Sequence, residues 1–205
     1  MNKWIPAVLL LLLAACTALP SGKFNELENG PYAGNQLREY VAKQGVSTEH
    51  LYSLDSAGYQ RTLPLVRKGI PQAELFDVHG RPLLWWNPSK SLPKRLNTFL
   101  KKYPTVPAAD EKNKRDLNDL LRSLRSPEGR MVTPSQTDDT DVHLFLYFSL
   151  NSGVRGDEML QICQEVLDNY PKSRLQVYLV NMDKQRWWTN PPKAGAKPLP
   201  VTKEY

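Results

Sequence analysis

Val142-His143-Leu144-Phe145-Leu146-Tyr147-Phe148-Ser149-Leu150 is apolar or aromatic at nearly every position. A strand with one wet face alternates polar and apolar residues, so an unbroken run suits a central strand covered on both faces. Downstream, residues 157–170 place Met159, Leu160, Cys163, Val166, Leu167 and Tyr170 on one side at helical spacing, and Pro171 ends the pattern. Residues 174–182 then read as a second buried strand. Strand, helix and strand in this order make a βαβ unit, which requires parallel pairing through a right-handed crossover.

Upstream, the clearest feature is a hairpin over residues 72–86. Residues 73–78 run up, the Asp77-Val78-His79-Gly80 segment turns, and residues 81–86 return. The following segment, residues 89–102, is an amphipathic helix with Leu92, Leu96, Phe99 and Leu100 on one face and Lys90, Lys94, Arg95, Lys101 and Lys102 elsewhere. A second amphipathic helix is expected over residues 110–125, with Leu117, Leu120, Leu121 and Leu124 in register and charges that complement its dipole. Shorter elements are expected at 35–44 (helix), 50–54 (strand) and 59–68 (a helix limited or kinked by Pro64). Residues 126–141 read as a polar loop. The sum is an α/β chain with a mixed sheet and flanking helices, divided into a half with the hairpin (32–103), a connecting helix and linker (104–141), a βαβ half (142–192) and a tail rich in proline and lysine (193–205).

The N-terminus carries a different kind of signal. Met1-Asn2-Lys3 is followed by an apolar run from Trp4 to Leu13 that is too short to span a bilayer, which takes about 20 residues. The run ends in Leu13-Ala14-Ala15-Cys16, which closely resembles the lipobox of bacterial lipoproteins. That resemblance implies removal of residues 1–15 and a diacylglyceryl and N-acyl lipid on Cys16; no other cofactor is expected. Two or three acyl chains anchor stably where one is marginal. Thr17 stands where aspartate typically retains such lipoproteins in the inner membrane, so the resemblance places the protein on the periplasmic face of an outer membrane. Residues 16–31 then read as a tether.

The formal charge is +6, and loss of Lys3 leaves +5 on the mature chain. Export separates it from the chromosome, so its basic surface is expected to meet phospholipid head groups, lipopolysaccharide or cell-wall polymer and not nucleic acid. Only Cys16 and Cys163 are present. With Cys16 lipidated, no intramolecular disulfide can form. The order of elements also resembles a thioredoxin-like fold, since Ile70-Pro71 with the hairpin and helix is similar to one half of that fold and residues 142–183 to its βαβ half. The halves stand in reversed order and there is no C-x-x-C motif, so the resemblance carries no catalytic residue.

Recognisable chemistry is sparse. Cys163 lies on an apolar helix face and is expected to be inert core. His50, His79 and His143 are isolated, without metal-ligand spacing; His79 and His143 are expected in solvent. Asp138, Asp139 and Asp141 lack the glycine and distal glutamate of a calcium loop. Glu74 and Asp77 are a carboxylate pair that only three dimensions can judge. No elbow, P-loop or zinc-protease motif occurs. The unusual feature is a repeated doublet, Trp85-Trp86 and Trp187-Trp188, each read as a strand with one ring inward and one available to a ligand or partner. The expected role is non-enzymatic: a lipid-anchored protein that binds or scaffolds other envelope proteins, with secretion or conjugation machinery suggested by class and not by any residue. The alternatives are a cell-wall glycan binder using Trp86 or Trp188, and an unrecognised periplasmic enzyme or inactive thioredoxin-fold relic.

Overall fold

The two apolar runs that define the βαβ unit lie side by side at the centre of a six-stranded mixed sheet. A computed structural model describes residues 31–66, 70, 72–86, 90–103, 115–132, 142–170 and 174–189, with the side chains of Trp85 and Trp86 outside the description. In chain order the elements are α1 (Gly34–Lys43), β1 (Leu51–Leu54), α2 (Ser56–Val66), β2 (Gln72–Asp77), β3 (Pro82–Trp86), α3 (Leu92–Lys102), α4 (Leu117–Ser123), β4 (Leu124–Arg125), β5 (Val142–Phe148), α5 (Val154–Asn169) and β6 (Leu175–Asn181). The strand order is β3-β2-β5-β6-β1-β4. β5 and β6 pair in parallel from Val142↔Leu175 to Phe148↔Asn181, and β1 adds in parallel to the far side of β6. The hairpin β2–β3 joins antiparallel to β5, so strands from both expected halves form one sheet.

Every residue of β5 is buried, and the reason lies in its two faces. Val142, Leu144, Leu146 and Phe148 pack with Leu175, Val177 and Leu179 against α1, α3 and α5. Phe145 and Tyr147 face the other way with Tyr178 and Val180, against α2 and α4. One face is therefore largely aliphatic and the other aromatic, with Phe145 and Tyr178 stacked at 4.4 Å between ring centroids. At about 1.5–3 kcal/mol for each large side chain withdrawn from water, this double coverage makes β5 and β6 the centre of stability.

Local chemistry sets the element ends. Gln36 Oε1 accepts from the Ala33 N–H and closes the first turn of α1. Asp55 starts α2 by accepting from the Gly58 N–H at 2.7 Å. The helix begins earlier than expected and continues past Pro64 to Val66. In the hairpin, Asp77 Oδ1 accepts from the His79 and Arg81 N–H groups, while Gly80 at φ 80° supplies the left-handed turn position.

The expectation for residues 110–125 needs correction. Within the described residues the helix starts at Leu117, capped by Asp116, whose side chain accepts from the Asn118 N–H, and it stops at Ser123. Leu124 and Arg125 are extended and pair antiparallel with Leu54 and Ser53. Leu124 is buried, as its helical spacing suggested, but it reaches the core from a strand. The sheet edge offers its backbone hydrogen bonds in place of another helical turn, and Arg125 secures the arrangement with an ion pair to Asp55 at 2.7 Å. The expected loop then opens with a tight turn that brings Met131 back beside Arg125.

Candidate functional site

The sequence assigns its firmest site to Cys16 with Leu13, Ala14 and Ala15, and these lie outside the described residues, as do Asp138, Asp139, Asp141 and the tail. What is described is how Tyr32, next to the first described residue, joins the fold. The Tyr32 N–H donates to the Lys184 carbonyl at 2.9 Å, and the Arg186 N–H returns a bond to the Tyr32 carbonyl at 3.0 Å. Tyr32 therefore runs parallel to Gln185, just beyond the carboxyl end of β6. Its hydroxyl donates to Asn151 Oδ1 at 2.9 Å.

Beneath that entry point sits a buried polar network that no motif announced. Asp183 Oδ1 accepts from Ser149 Oγ at 2.5 Å and from Asn151 Nδ2, while Oδ2 accepts from the Leu150 N–H and from Asn181 Nδ2 at 2.7 Å. Burial pushes the Asp183 carboxyl above the ordinary aspartate range, against the pull of those four donors. The network ties the carboxyl end of β5 to that of β6. The place is where open α/β sheets often bind ligands, but here the donors all close on the protein's own carboxylate.

A second cluster lies on the aromatic face. Glu74, fully buried on β2, accepts from Arg115 Nη1 at 2.5 Å and from the Tyr147 hydroxyl at 2.9 Å, both at Oε2. Arg115 Nη2 donates to Thr62 Oγ1 at 2.8 Å, and the guanidinium lies 5.6 Å from the Tyr147 ring centroid. Glu74 Oε1 is buried without a hydrogen-bond partner. Burial pushes the Glu74 carboxyl up, and the Arg115 charge and the Tyr147 hydroxyl oppose that shift. The cluster joins β2, β5, α2 and the approach to α4. Above it a recess of about 220 Å³, bordered by Arg61, Thr62, Leu65, Arg115 and Asp119, opens between α2 and α4. Asp77 does not share this site: it forms its own ion pair with Arg81 at 2.6 Å.

The second tryptophan doublet is not on a strand. Residues Arg186–Trp188 form a 3₁₀ turn, which corrects the reading of one ring in and one ring out. Both rings are half-buried and meet edge to face at 6.1 Å. Trp188 Nε1 donates to the Leu54 carbonyl at 3.1 Å, and its ring packs on Tyr59. Trp187 lies so close to Gly129 that a Cβ there would overlap the indole, and Gly129 also sits at φ 84°. Backbone of β3 carries Trp85 opposite Glu74 and Trp86 opposite Ala73.

Among the histidines, His79 is exposed as expected, whereas His143 is buried on β5 and not solvated. Its Nδ1 pairs with the Tyr178 hydroxyl at 3.1 Å, and burial pulls its pKa down to about 4 against the opposing charge of Asp77. A lone histidine in an apolar strand followed by parallel pairing was the available clue. Cys163 is fully buried and its thiol is pushed up to about 12. Among the described residues no group of three or more His, Cys, Asp or Glu side chains could hold a metal ion. No helix there is long and apolar enough to cross a membrane.

No protein-family profile, curated protein or solved structure matches the chain.

Proposed function

We propose that the protein is a lipoprotein of the bacterial envelope, anchored through Cys16 to the periplasmic face of an outer membrane, whose α/β domain binds or scaffolds other envelope proteins. The observation that carries this reading is Leu13-Ala14-Ala15-Cys16 at the end of a short apolar run behind Lys3. Tyr32, 16 residues after Cys16, is already joined to the sheet end through Gln185, so the intervening residues set the reach of the anchor. At about 3.4 Å per residue they reach at most about 50 Å from the lipid. A binding role in preference to catalysis is supported by how the buried charges are used. Asp183, Glu74 and Asp77 each engage partners within the chain and hold elements together.

A thioredoxin-like layered sandwich with exchanged halves is the finer fold reading that we attach to this proposal. It is supported by the hairpin β2–β3 lying antiparallel beside the first strand of the βαβ unit. The alternative of a glycan platform gains no support from Trp187 and Trp188, whose rings are already engaged by Gly129, Tyr59 and each other.

The test is the intact mass and membrane fractionation of the wild type beside Cys16→Ala, followed by crosslinking in cells. The expected result is a lipid mass increment and membrane residence that the variant loses, with stoichiometric envelope proteins crosslinked to the wild type. An unmodified Cys16 would remove the anchor. A lipidated protein that crosslinks to nothing but pellets with isolated cell wall would replace scaffolding with glycan binding.

A further inference from the structure

On the aromatic side of the sheet, the recess of about 220 Å³ between α2 and α4 has walls of opposite charge. One end closes where the two helices meet: Gly58 lies so near Ser123 that a Cβ on the glycine would overlap the serine side chain. Beyond that point Arg61, Thr62 and Leu65 of α2 form one wall, and Asp119 and Leu120 of α4 form the other. Arg115 borders the recess from the approach to α4, held by Glu74 at 2.5 Å and by Thr62 Oγ1 at 2.8 Å. Because the Thr62 hydroxyl oxygen accepts from Arg115, its own proton is left to donate. Among the described residues, the ion pairs at this place join Arg115 to Glu74 at 2.5 Å and Arg122 to Asp119 at 3.9 Å, and Arg61 takes part in neither. The Arg122–Asp119 pair is long and exposed, so it holds Asp119 only weakly. A guanidinium and a carboxylate therefore border one concave space without meeting across it. Leu65 adds an apolar rim, a large aliphatic side chain left 37% exposed.

We propose that this recess binds a small zwitterion with a free carboxylate and a free ammonium group, as carried by an amino acid or a short peptide. Arg61 and the Thr62 hydroxyl receive the carboxylate, Asp119 receives the ammonium, and Leu65 and Leu120 cover an aliphatic side chain. Charge on two walls selects this class. A simple anion drawn to Arg61 would be repelled by Asp116 and Asp119, and a simple cation drawn to Asp119 would be repelled by Arg61. Arg115 and Glu74 neutralise each other and leave that choice to the walls. The size agrees with a ligand of few heavy atoms, since the recess lies below the range of drug-sized pockets, about 300–1,000 Å³. The site is built from described residues alone and does not depend on an anchor at Cys16.

The experiment uses the chain from residue 16 onward with Cys16→Ala, which contains every described element, and follows its backbone amides by two-dimensional NMR. Leucine and alanylalanine are the probes, and the one bound more tightly tells a free amino acid from a short peptide. The better probe is expected to bind with a Kd at or below about 1 mM and to shift the amides of Gly58, Thr62 and Leu120. Its N-acetyl and C-terminal amide derivatives each lack one charge and should bind about tenfold or more weakly. Arg61→Gln and Asp119→Asn should cause the same loss in the wild-type probe. Both side chains are exposed, so these variants keep the fold, which their own spectra report. Arg155→Gln removes an exposed cation from α5 on the opposite sheet face and should leave binding within about twofold. No shift with either probe up to about 10 mM, or shifts confined to another part of the domain, would overturn the proposal. Equal binding of the single-charge derivatives would overturn it too, because the recess would then read shape and not two charges. So would an Arg61→Gln variant that binds as well as Arg155→Gln.

Discussion

Replacing Arg115 by methionine keeps most of the side-chain stem and deletes the guanidinium that neutralises Glu74. In the native protein the Glu74 carboxylate is fully buried and receives Arg115 at 2.5 Å and the Tyr147 hydroxyl at 2.9 Å, while Oε1 has no hydrogen-bond partner. Loss of the cation leaves a buried charge with one neutral donor, which costs about 3–5 kcal/mol near pH 7. Glu74→Gln in the same background removes the stranded charge while its carbonyl still accepts from Tyr147. The double variant should therefore lose about 2–3 kcal/mol less than the sum of the single losses. Acid supplies an independent signature. Burial already raises the Glu74 carboxyl above its unfolded value, and without Arg115 nothing but Tyr147 opposes that shift. The folded state of Arg115→Met then holds a proton that the unfolded chain releases, so its stability falls as pH rises above the unfolded carboxyl value of about 4.3. Urea unfolding followed by tryptophan fluorescence, repeated from mildly acidic to neutral pH, measures both effects. A cost below about 1 kcal/mol near neutrality, or a cost independent of pH, would refute the claim that Arg115 exists to neutralise a buried carboxylate.

Three further outcomes follow from the same packing. His143 titrates at about 4 in the fold against about 6.5 in the unfolded chain, so stability should rise with pH between those values; acidification across them should cost about 3 kcal/mol, and His143→Phe should remove that part of the pH dependence in urea titrations. Gly129→Ala should lower stability by about 2 kcal/mol or more, because it adds a Cβ at positive φ and against the Trp187 indole; an unchanged melting temperature would show that the turn and the indole can move apart. Cys163, buried with its thiol pushed up to about 12, should react with a thiol reagent in the native protein only as fast as the fold opens, and immediately in denaturant.

Local patterns were legible wherever one element could be read without its neighbours. The unbroken apolar run at residues 142–148 announced a strand covered on both sides, and the spacing of Met159, Leu160, Cys163 and Val166 announced the helix that covers one of them. Parallel pairing followed because a helical crossover leaves no other arrangement. The Asp77–Gly80 turn and the apolar face of α3 were equally local. Glu74 was visible only as half of a carboxylate pair with Asp77, and its partner lies 41 residues away and its other contact, Tyr147, 73 residues away. Nothing in the spacing of either could connect them.

The sequence alone determined the βαβ unit and the basic composition of residues 90–103, and it supplies the contiguous Leu13-Ala14-Ala15-Cys16 pattern on which the proposed anchor rests, since each depends on periodicity or on a contiguous motif. Tertiary structure decided what depends on competition between distant partners. The edge of β1 drew Leu124 and Arg125 out of a helical pattern because a sheet edge offers backbone bonds that one more helical turn would forgo. His143 was drawn from an expected solvent position into the core because the strand carrying it is covered on both faces. Trp187 and Trp188 settled into a 3₁₀ turn against Gly129 and Tyr59, residues that lie far from them in the chain. Helical and strand periodicity are properties of a segment, whereas sheet order and the pairing of buried charges belong to contacts that exist only once the chain has closed.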